Sequence, residues 1–580
     1  MPVLLKDFVI RLRTVLATGL LIVVALLVLP PFLMLFVGSI WGAPPGMPGR
    51  LSLSAYIDAF SSPYTYKVIA NSFFLSFVKT TLATIWGVVL AWLVTRTDVP
   101  LRRTMEVLIP VQFFIPAIFN ALAYLMLLNP HSGIVNQLFM GAFGLESAPF
   151  NLYSYTGMIF VMALGSTAFI FLLTYGAFRA LDPSLEESAR TCGAGTLETL
   201  VRVTLPLVAP AIGGAFILSF IQGIEAFEVP VLIGTPAGIY VFTNEIYRAI
   251  TFFEPARYGV ATALGITIVL LTFAMVYVQW RIQGDRQYFT ITGKGYNPRL
   301  VRLKHWRWPA FIFGALYIVL AVVLPIGQLL LSSLQSNVGV LTFESFTLKH
   351  YYQAFRDDMV LRALYNTLIL AVLAAVGGVT LSVLIAYVTT RLNFWGKRWL
   401  ELLSWLPWTL PGIVLATGML WAYLTIPGLW IFYGSLWILF IAYIIKGLPL
   451  GVRALSGTMV QVHQELEDCA RVHGASWLRT LWSVVLRLIR PGMLSGAIFF
   501  VFIAIRDLST PILLYGYGTE VLSIVLLQFW AEKPPQVVSV LAIIMLAVLT
   551  GFSAIQRILL IEKERPEAIE NRVPPEIGRL

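Results

Sequence analysis

Two similar segments of the sequence decide how the chain is organised. Residues 185–194 read LEESARTCGA, and residues 466–475 read LEDCARVHGA. Each segment has a glutamate followed four residues later by an arginine, which favours a short helix, and then a glycine suited to a left-handed C-terminal cap. One such segment is equally well explained as an ordinary capped helix with surface ion pairs. Two copies indicate two related halves that use this loop in the same way.

The sequence on either side of these loops is long and apolar. Of the 580 residues, 58% are apolar and 12% are charged, whereas a soluble domain is about 45–50% apolar and about 25% charged. Because a helix needs about 20 apolar residues to cross a bilayer, we predict an all-α integral membrane protein with about twelve transmembrane helices. Their segments are 15–39, 68–94, 105–128, 154–178, 208–234, 258–280, 310–333, 364–389, 400–424, 429–450, 489–515 and 537–560.

Lysine and arginine are concentrated in alternate loops, at roughly three or four to one over the opposite set. The two repeated segments lie in loops of the basic set. The positive-inside rule then places both termini and both repeated loops in the cytoplasm, where the thiols of Cys192 and Cys469 stay reduced. The net charge of +11 is explained by this distribution, so we expect a lipid bilayer and no nucleic acid as partner.

The two halves also align outside these loops. Asn71 and Pro116 match Asn366 and Pro411 at one fixed offset. Because six spans per half is an even number, the two halves have the same orientation, which makes a parallel repeat. The predicted division is a first repeat at 1–280, a basic linker at 281–309, a second repeat at 310–562 and a cytoplasmic tail at 563–580.

The repeated loop resembles a motif of the membrane permeases of binding-protein-dependent ABC importers. The motif reads E-A-A, three residues, G, nine residues, I, one residue, L-P, and residues 203–206 (VTLP) complete its first copy. The second copy departs from it at Arg487, where the proline should stand. The duplicated layout is similar to type I importers with a fused permease of the ferric-iron, thiamine or polyamine type. The motif residues are Glu187, Ala189 and Gly193 in the first loop and Asp468, Ala470 and Gly474 in the second.

The resemblance implies a mechanical role for the two loops, at about 180–206 and 453–490. In this family the short helix is a coupling helix, which docks in a groove of a cytoplasmic ATPase subunit. Two coupling loops in one chain imply two ATPase copies, one extracytoplasmic solute-binding protein and a place in the bacterial inner membrane. The motif residues are the ones expected to make the joint. We expect both loops to dock, the second less tightly, because Arg487 stands where the motif has a proline at the start of the next span.

The sequence contains no phosphate-binding loop of the form G-x-x-x-x-G-K-[ST]. The chain is therefore expected to be a translocation subunit and not an enzyme, with ATP and magnesium held by the partner ATPase. Its five histidines are scattered without the spacing of metal ligands. We expect no metal site and no cofactor on this chain.

Charged residues inside predicted spans are costly and usually functional. Glu225 and Glu228 lie in the fifth span, and Arg506 and Asp507 lie at the related place in the eleventh. One interpretation is that they line the translocation pathway or its outer gate. The other is an ion pair between Glu225 or Glu228 and Arg506 that only holds the halves together. Lys79 in the second span is a weaker candidate, because snorkelling explains it equally well.

The resemblance implies ATP-driven import of a small solute by alternating access, with ferric iron as the first expectation. Thiamine, polyamines and phosphonates remain alternatives for the same machinery. A secondary carrier driven by an ion gradient is the alternative from another class, because duplicated halves and intramembrane carboxylates fit it as well.

Overall fold

The computed structural model describes residues 2–130, 133–283, 300–337 and 345–561. Within these ranges, nine helices are long and apolar enough to cross a membrane, or twelve spans if each of three bent helix pairs counts as one. The prediction of an all-α membrane protein with about twelve spans is confirmed. Most of the predicted linker, at 284–299, and the predicted tail at 563–580 lie outside the described residues.

We number the spans 1 to 12 along the chain, and each overlaps one predicted segment. The spans are Thr14–Ser39, Pro63–Arg96, Arg102–Phe114 with Ala117–Leu127, Tyr155–Ala180, Thr196–Ile224, Tyr258–Gln279, Lys304–Leu334, Asp358–Arg391, Lys397–Thr409 with Gly412–Thr425, Leu436–Gln461, Trp477–Leu488 with Arg490–Arg506, and Pro535–Leu559. Shorter helices are Ser54–Phe60, Ile134–Phe143, Pro183–Thr191, Phe242–Thr251, Lys349–Ala354, Gln464–Val472 and Leu522–Glu532.

Spans 3 and 9 are sharply bent, where the sequence analysis expected continuous helices. The two helices of span 3 meet at 97°, and those of span 9 meet at 112°. Pro116 and Pro411 stand at the two breaks, and the residues before them, Ile115 and Leu410, have extended backbones with ψ of 126° and 116°. A proline disfavours the helical conformation of the residue before it, so the aligned prolines produce the same bend in both halves.

Spans 5 and 11 end earlier than predicted. Span 5 ends at Ile224, and span 11 ends at Arg506, so the predicted helical segments 208–234 and 489–515 are too long on this side. In both halves a proline follows within a few residues, Pro230 or Pro511. Proline lacks the N–H that would continue the helical hydrogen-bond ladder, and the chain leaves the helix before reaching it.

The first span of each half packs against the opposite half. Span 1 approaches span 9 so closely that a Cβ atom on Gly418 would lie 2.4 Å from the carbonyl oxygen of Pro31. Span 7 reaches back to the first half, where the Tyr317 hydroxyl donates to the carbonyl oxygen of Leu164 at 3.0 Å. Small residues permit such close helix packing in membranes. The two halves therefore exchange their first spans and form one interlocked bundle.

Candidate functional site

A short helix with a glycine cap occupies the predicted coupling position in each half. Pro183–Thr191 lies between spans 4 and 5, and Gln464–Val472 lies between spans 10 and 11. Gly193 and Gly474 follow them with φ of +93° and +83°. Such angles suit glycine and strain other residues, so the predicted left-handed caps are confirmed. We call these helices the first and second coupling helix.

A side-chain cap at the start and a backbone hydrogen bond at the end complete the first coupling helix. After the cap, the Ala194 N–H donates to the carbonyl oxygen of Ala189 at 3.1 Å. In the second helix, the Ala475 N–H donates to that of Ala470 at 3.0 Å. At the start of the first helix, the Ser184 N–H donates to the Asp182 carboxylate at 2.9 Å. This hydrogen bond holds the pKa of Asp182 below its usual value because it stabilises the charged form.

The motif carboxylates of the two coupling helices lie at or near the protein surface. Glu187 is half-buried and lines a shallow open depression, and its Oε1 has no hydrogen-bond partner among the described residues. Asp468 is exposed and lies 3.5 Å from the Arg471 guanidinium. Asp468 and the exposed part of Glu187 are thus accessible from outside the bundle.

The glutamates one position earlier are buried, contrary to the expected surface ion pairs. Glu186 is 6% exposed and Glu467 is 1% exposed. Glu186 lies 3.8 Å from the Arg96 guanidinium, and Glu467 lies 2.8 Å from that of Arg391. Only Glu467 also keeps the expected partner four residues later, Arg471, at 3.5 Å. The sequence analysis missed Arg96 and Arg391, although they end spans 2 and 8 at equivalent places.

The departure from the motif at Arg487 coincides with a bend. Span 11 consists of Trp477–Leu488 and Arg490–Arg506, which meet at 75°, whereas span 5 runs unbroken from Thr196 to Ile224. Pro491 lies in the first turn of the second helix, where its missing N–H costs nothing. The two halves therefore enter the bundle differently after their coupling helices.

The four predicted pathway residues lie where spans 5 and 11 end. Glu225 directly follows span 5, and Asp507 directly follows span 11, whose last residue is Arg506. Glu228 is half-buried at the start of the short helical segment that follows span 5, and it interacts electrostatically with Arg506 and Asp507. The fold therefore brings together charged groups from the two halves.

The ion pair between the halves, which was the alternative interpretation, is not formed. Neither Glu225 nor Glu228 makes a salt bridge to Arg506, whose guanidinium instead donates to the carbonyl oxygen of Phe113 at 2.9 Å. Among the described residues, Oε1 of Glu225 has no hydrogen-bond partner. The contact that Arg506 does make crosses from the second half to span 3 of the first.

Lys446 of span 10 is the cation of this cluster that the sequence analysis missed. Its ammonium lies 2.7 Å from the Asp507 carboxylate and donates to the Thr510 hydroxyl at 3.1 Å. It also interacts electrostatically with Glu225 and Glu228. A lone lysine in an apolar segment was the available signal, but it lay near the predicted end of segment 429–450.

Lys79 is a buried crosslink, so the snorkelling explanation is wrong. It is 2% exposed and donates to the Ser166 hydroxyl at 2.8 Å and the Ser219 carbonyl at 2.7 Å. It thereby ties span 2 to spans 4 and 5. When the second half is aligned by matching Gly193 with Gly474, Gly447 corresponds to Ser166 and Phe500 corresponds to Ser219. The second half therefore packs an aromatic ring at this place instead of polar groups.

Within the described residues, no group of three or more histidine, cysteine, aspartate or glutamate side chains has the geometry to hold a metal ion. The charged cluster is accordingly an arrangement of individual carboxylates and cations. Both halves contribute charges to this cluster.

This architecture defines a multi-pass membrane protein with two related halves, each with a coupling helix between its fourth and fifth spans. The chain matches the family described as "Binding-protein-dependent transport system inner membrane component" twice, over residues 83–284 and 378–560. It belongs to that family, as a fused permease of an ABC importer with both repeats in one chain.

The relatives of the chain transport different solutes. A provisionally named ferric transport system permease of Haemophilus influenzae is 28% identical, over 79% of this chain and 72% of that protein. The ferric transport system permease of Actinobacillus pleuropneumoniae is 26% identical, over 84% of this chain and 71% of that protein. A sulfate transport system permease of Salmonella typhimurium is 25% identical, over 40% of this chain and 83% of that protein.

Proposed function

We propose that this importer permease accepts a small solute from an extracytoplasmic binding protein and moves it into the cytoplasm by alternating access. The observation that carries the proposal is the pair of glycine-capped coupling helices in matching loops. Each presents a carboxylate outside the bundle, Glu187 or Asp468, and a short exposed helix suits a groove on a partner. Two such helices in one chain suit two copies of a cytoplasmic ATPase.

In this proposal the ATPase holds ATP and magnesium, and the permease itself binds no cofactor. Both termini and both coupling helices face the cytoplasm, in agreement with the basic loops. The coupling helices also favour this mechanism over an ion-gradient-driven secondary carrier, which has no ATPase to contact.

We propose ferric iron as the solute. Two relatives that align with most of the chain are ferric permeases by name. The charged cluster favours the passage of a cation through its charge and not through a metal site, because it holds three carboxylates, those of Glu225, Glu228 and Asp507. Lys446 and Arg506 offset part of this negative charge. Thiamine, polyamines and phosphonates remain alternatives, and a sulfate permease among the relatives shows that similar chains serve an anion.

The first experiment is purification of the chain in mild detergent, with mass spectrometry of the proteins that accompany it. We expect a cytoplasmic ATPase to co-purify, and we expect it to be lost from Glu187→Lys, which reverses the charge of the half-buried motif glutamate on the first coupling helix. The matched control is Glu401→Lys, the same change at an exposed site on span 9. Absence of an ATPase from the unmodified preparation would refute the proposal.

A second experiment tests the pathway and the solute together. Glu228→Gln keeps the shape of the side chain and removes its charge, so we expect uptake of radiolabelled ferric iron to fall while the ATPase still co-purifies. Glu146→Gln, at an exposed position on a loop, is the control. Unchanged uptake in Glu228→Gln would contradict a role of this carboxylate in the pathway.

A further inference from the structure

A buried arginine–glutamate pair fastens each coupling helix to the end of a long span. In the first half, Arg96 ends span 2 and faces Glu186, and in the second half, Arg391 ends span 8 and faces Glu467. No side chain of the four is more than a tenth exposed to solvent. These are not the weak surface ion pairs that screening and side-chain entropy reduce to nearly nothing.

The first pair sits in a network that joins four elements. Arg96 donates through Nε to the carbonyl oxygen of Phe178 at 3.0 Å, and through Nη2 to that of Leu181, at the end of span 4 and just beyond it. Glu186 accepts a hydrogen bond of 2.7 Å from the Thr204 hydroxyl in span 5. Span 2, span 4, the first coupling helix and span 5 are thus tied together at one point.

The second pair is closer and has more partners. Besides Glu467, Arg391 binds the carbonyl oxygen of Met459 at 3.0 Å. Glu467 in turn accepts from the Tyr387 hydroxyl at 3.3 Å, and Tyr387 is held by the indole N–H of Trp477 at 2.9 Å. The same connection is therefore made in both halves, but with different supporting residues.

The opposite ends of spans 2 and 8 hold the segments that follow the charged cluster. Asn71 donates to the carbonyl oxygen of Tyr240 at 3.0 Å, and Asn366 donates to that of Glu520 at 2.9 Å. These acceptors lie in the connections after spans 5 and 11, which begin with the pathway residues. At about 1.5 Å per residue, roughly 37 Å of continuous helix separates Asn71 from Arg96.

The residues next to these asparagines repeat the attachment. The Ser72 hydroxyl accepts from the N–H of Phe242 at 2.9 Å, and the Thr367 hydroxyl accepts from the N–H of Leu522 at 2.9 Å. At the pathway side, these residues fix span 2 by two hydrogen bonds and span 8 by three. At the coupling side, the arginine–glutamate pair fixes each span.

We propose that Glu186 and Glu467 are positioning residues that make spans 2 and 8 rigid links between the coupling helices and the pathway segments. This inference rests on the proposed function, because it requires an ATPase that moves the coupling helices. Neighbouring carboxylates then have separate roles. Glu187 and Asp468 face the ATPase, whereas Glu186 and Glu467 attach the coupling helices to spans 2 and 8. Movement of a coupling helix pulls the end of its long span and shifts the segment bound at the far end.

The test measures movement directly and needs no solute. Spin labels are placed on cysteines substituted for Tyr517 and Phe252, which are 91% and 71% exposed beyond spans 11 and 5, in a chain whose own Cys192 and Cys469 are replaced by serine. In the purified complex with its ATPase, addition of ATP and magnesium is expected to change the distance between the labels. Glu467→Gln should reduce the shifted population at least about fivefold while the ATPase stays bound.

The matched control is Glu465→Gln, an exposed glutamate of the same coupling helix, which should leave the distance change intact. If Glu467→Gln does not fold, Arg391→Lys carries the same test, since lysine keeps the charge but loses the fork that binds several oxygens. A full distance change in the folded variant would overturn the inference, and so would loss of the ATPase, which would make Glu467 a docking residue. If the unmodified chain binds no ATPase, the proposed function itself fails.

Discussion

The ion pair between Lys446 and Asp507 allows a quantitative test of the charged cluster. The ammonium and the carboxylate are 2.7 Å apart, the Asp507 side chain is 6% exposed, and that of Lys446 is 26% exposed. Removing one partner of a buried ion pair costs about 3–5 kcal/mol. Because Lys446 keeps some access to solvent, we expect Lys446→Met to lower the free energy of unfolding by about 3 kcal/mol.

The remaining contacts explain why the loss is not larger. After Lys446→Met, the Asp507 carboxylate still accepts the hydrogen bond from the Ser509 hydroxyl at 3.0 Å, which stabilises part of its charge. Replacing both partners in Lys446→Met/Asp507→Asn removes the unpaired charge, so we expect the double variant to regain about 2 kcal/mol relative to additivity. Lys349→Met, at an exposed lysine, is the control and should change stability by less than about 0.5 kcal/mol.

The assay is denaturant unfolding of the purified chain in detergent, followed by fluorescence, for the parent, both single variants and the double variant. Iron uptake is measured in parallel for the same set. The reasoning would be refuted if each single variant changed the free energy of unfolding by less than about 0.5 kcal/mol and the two changes added up in the double variant. This result would show that the ion pair contributes no net stability.

Two further predictions concern packing in the bundle. Gly447→Ala should destabilise the chain by about 1–3 kcal/mol, because the added Cβ would lie 2.4 Å from the Phe500 ring. Thermal unfolding tests this against Gly457→Ala, a site where no atom lies within 4 Å of the added Cβ. Equal stability of the two variants would contradict the prediction. Lys79→Met should leave the thermal stability nearly unchanged, because an apolar side chain of similar volume leaves no unpaired buried charge. A loss of stability above about 3 kcal/mol would show that the contacts of Lys79 to Ser166 and Ser219 dominate.

The local features of the coupling helices could be predicted because they depend on neighbours in the sequence. The glycine that ends each short helix, Gly193 or Gly474, was enough to indicate a left-handed cap, which the structure has. The burial of Glu186 and Glu467 could not be predicted in this way. Their partners Arg96 and Arg391 are far away in the sequence. For Glu186, the helical spacing of four residues pointed to Arg190, which is not its partner in the structure.

The charged cluster shows the same division. Intramembrane glutamates stand out in an apolar segment, and the sequence analysis found them. Which cation neutralises which carboxylate depends on how spans 10 and 11 pack, and the structure gives Asp507 to Lys446 while Arg506 binds the carbonyl of Phe113.

By itself, the sequence determined the number of spans, the duplication and the positions of the two coupling helices. These follow from composition, periodicity and proline or glycine at single positions, which act within a few residues. The tertiary structure decided that span 1 packs on the second half and span 7 on the first, and that spans 2 and 8 connect the coupling helices to the segments that follow spans 5 and 11. Such contacts join residues far apart in the chain, and only the packing of whole helices brings them within hydrogen-bond distance.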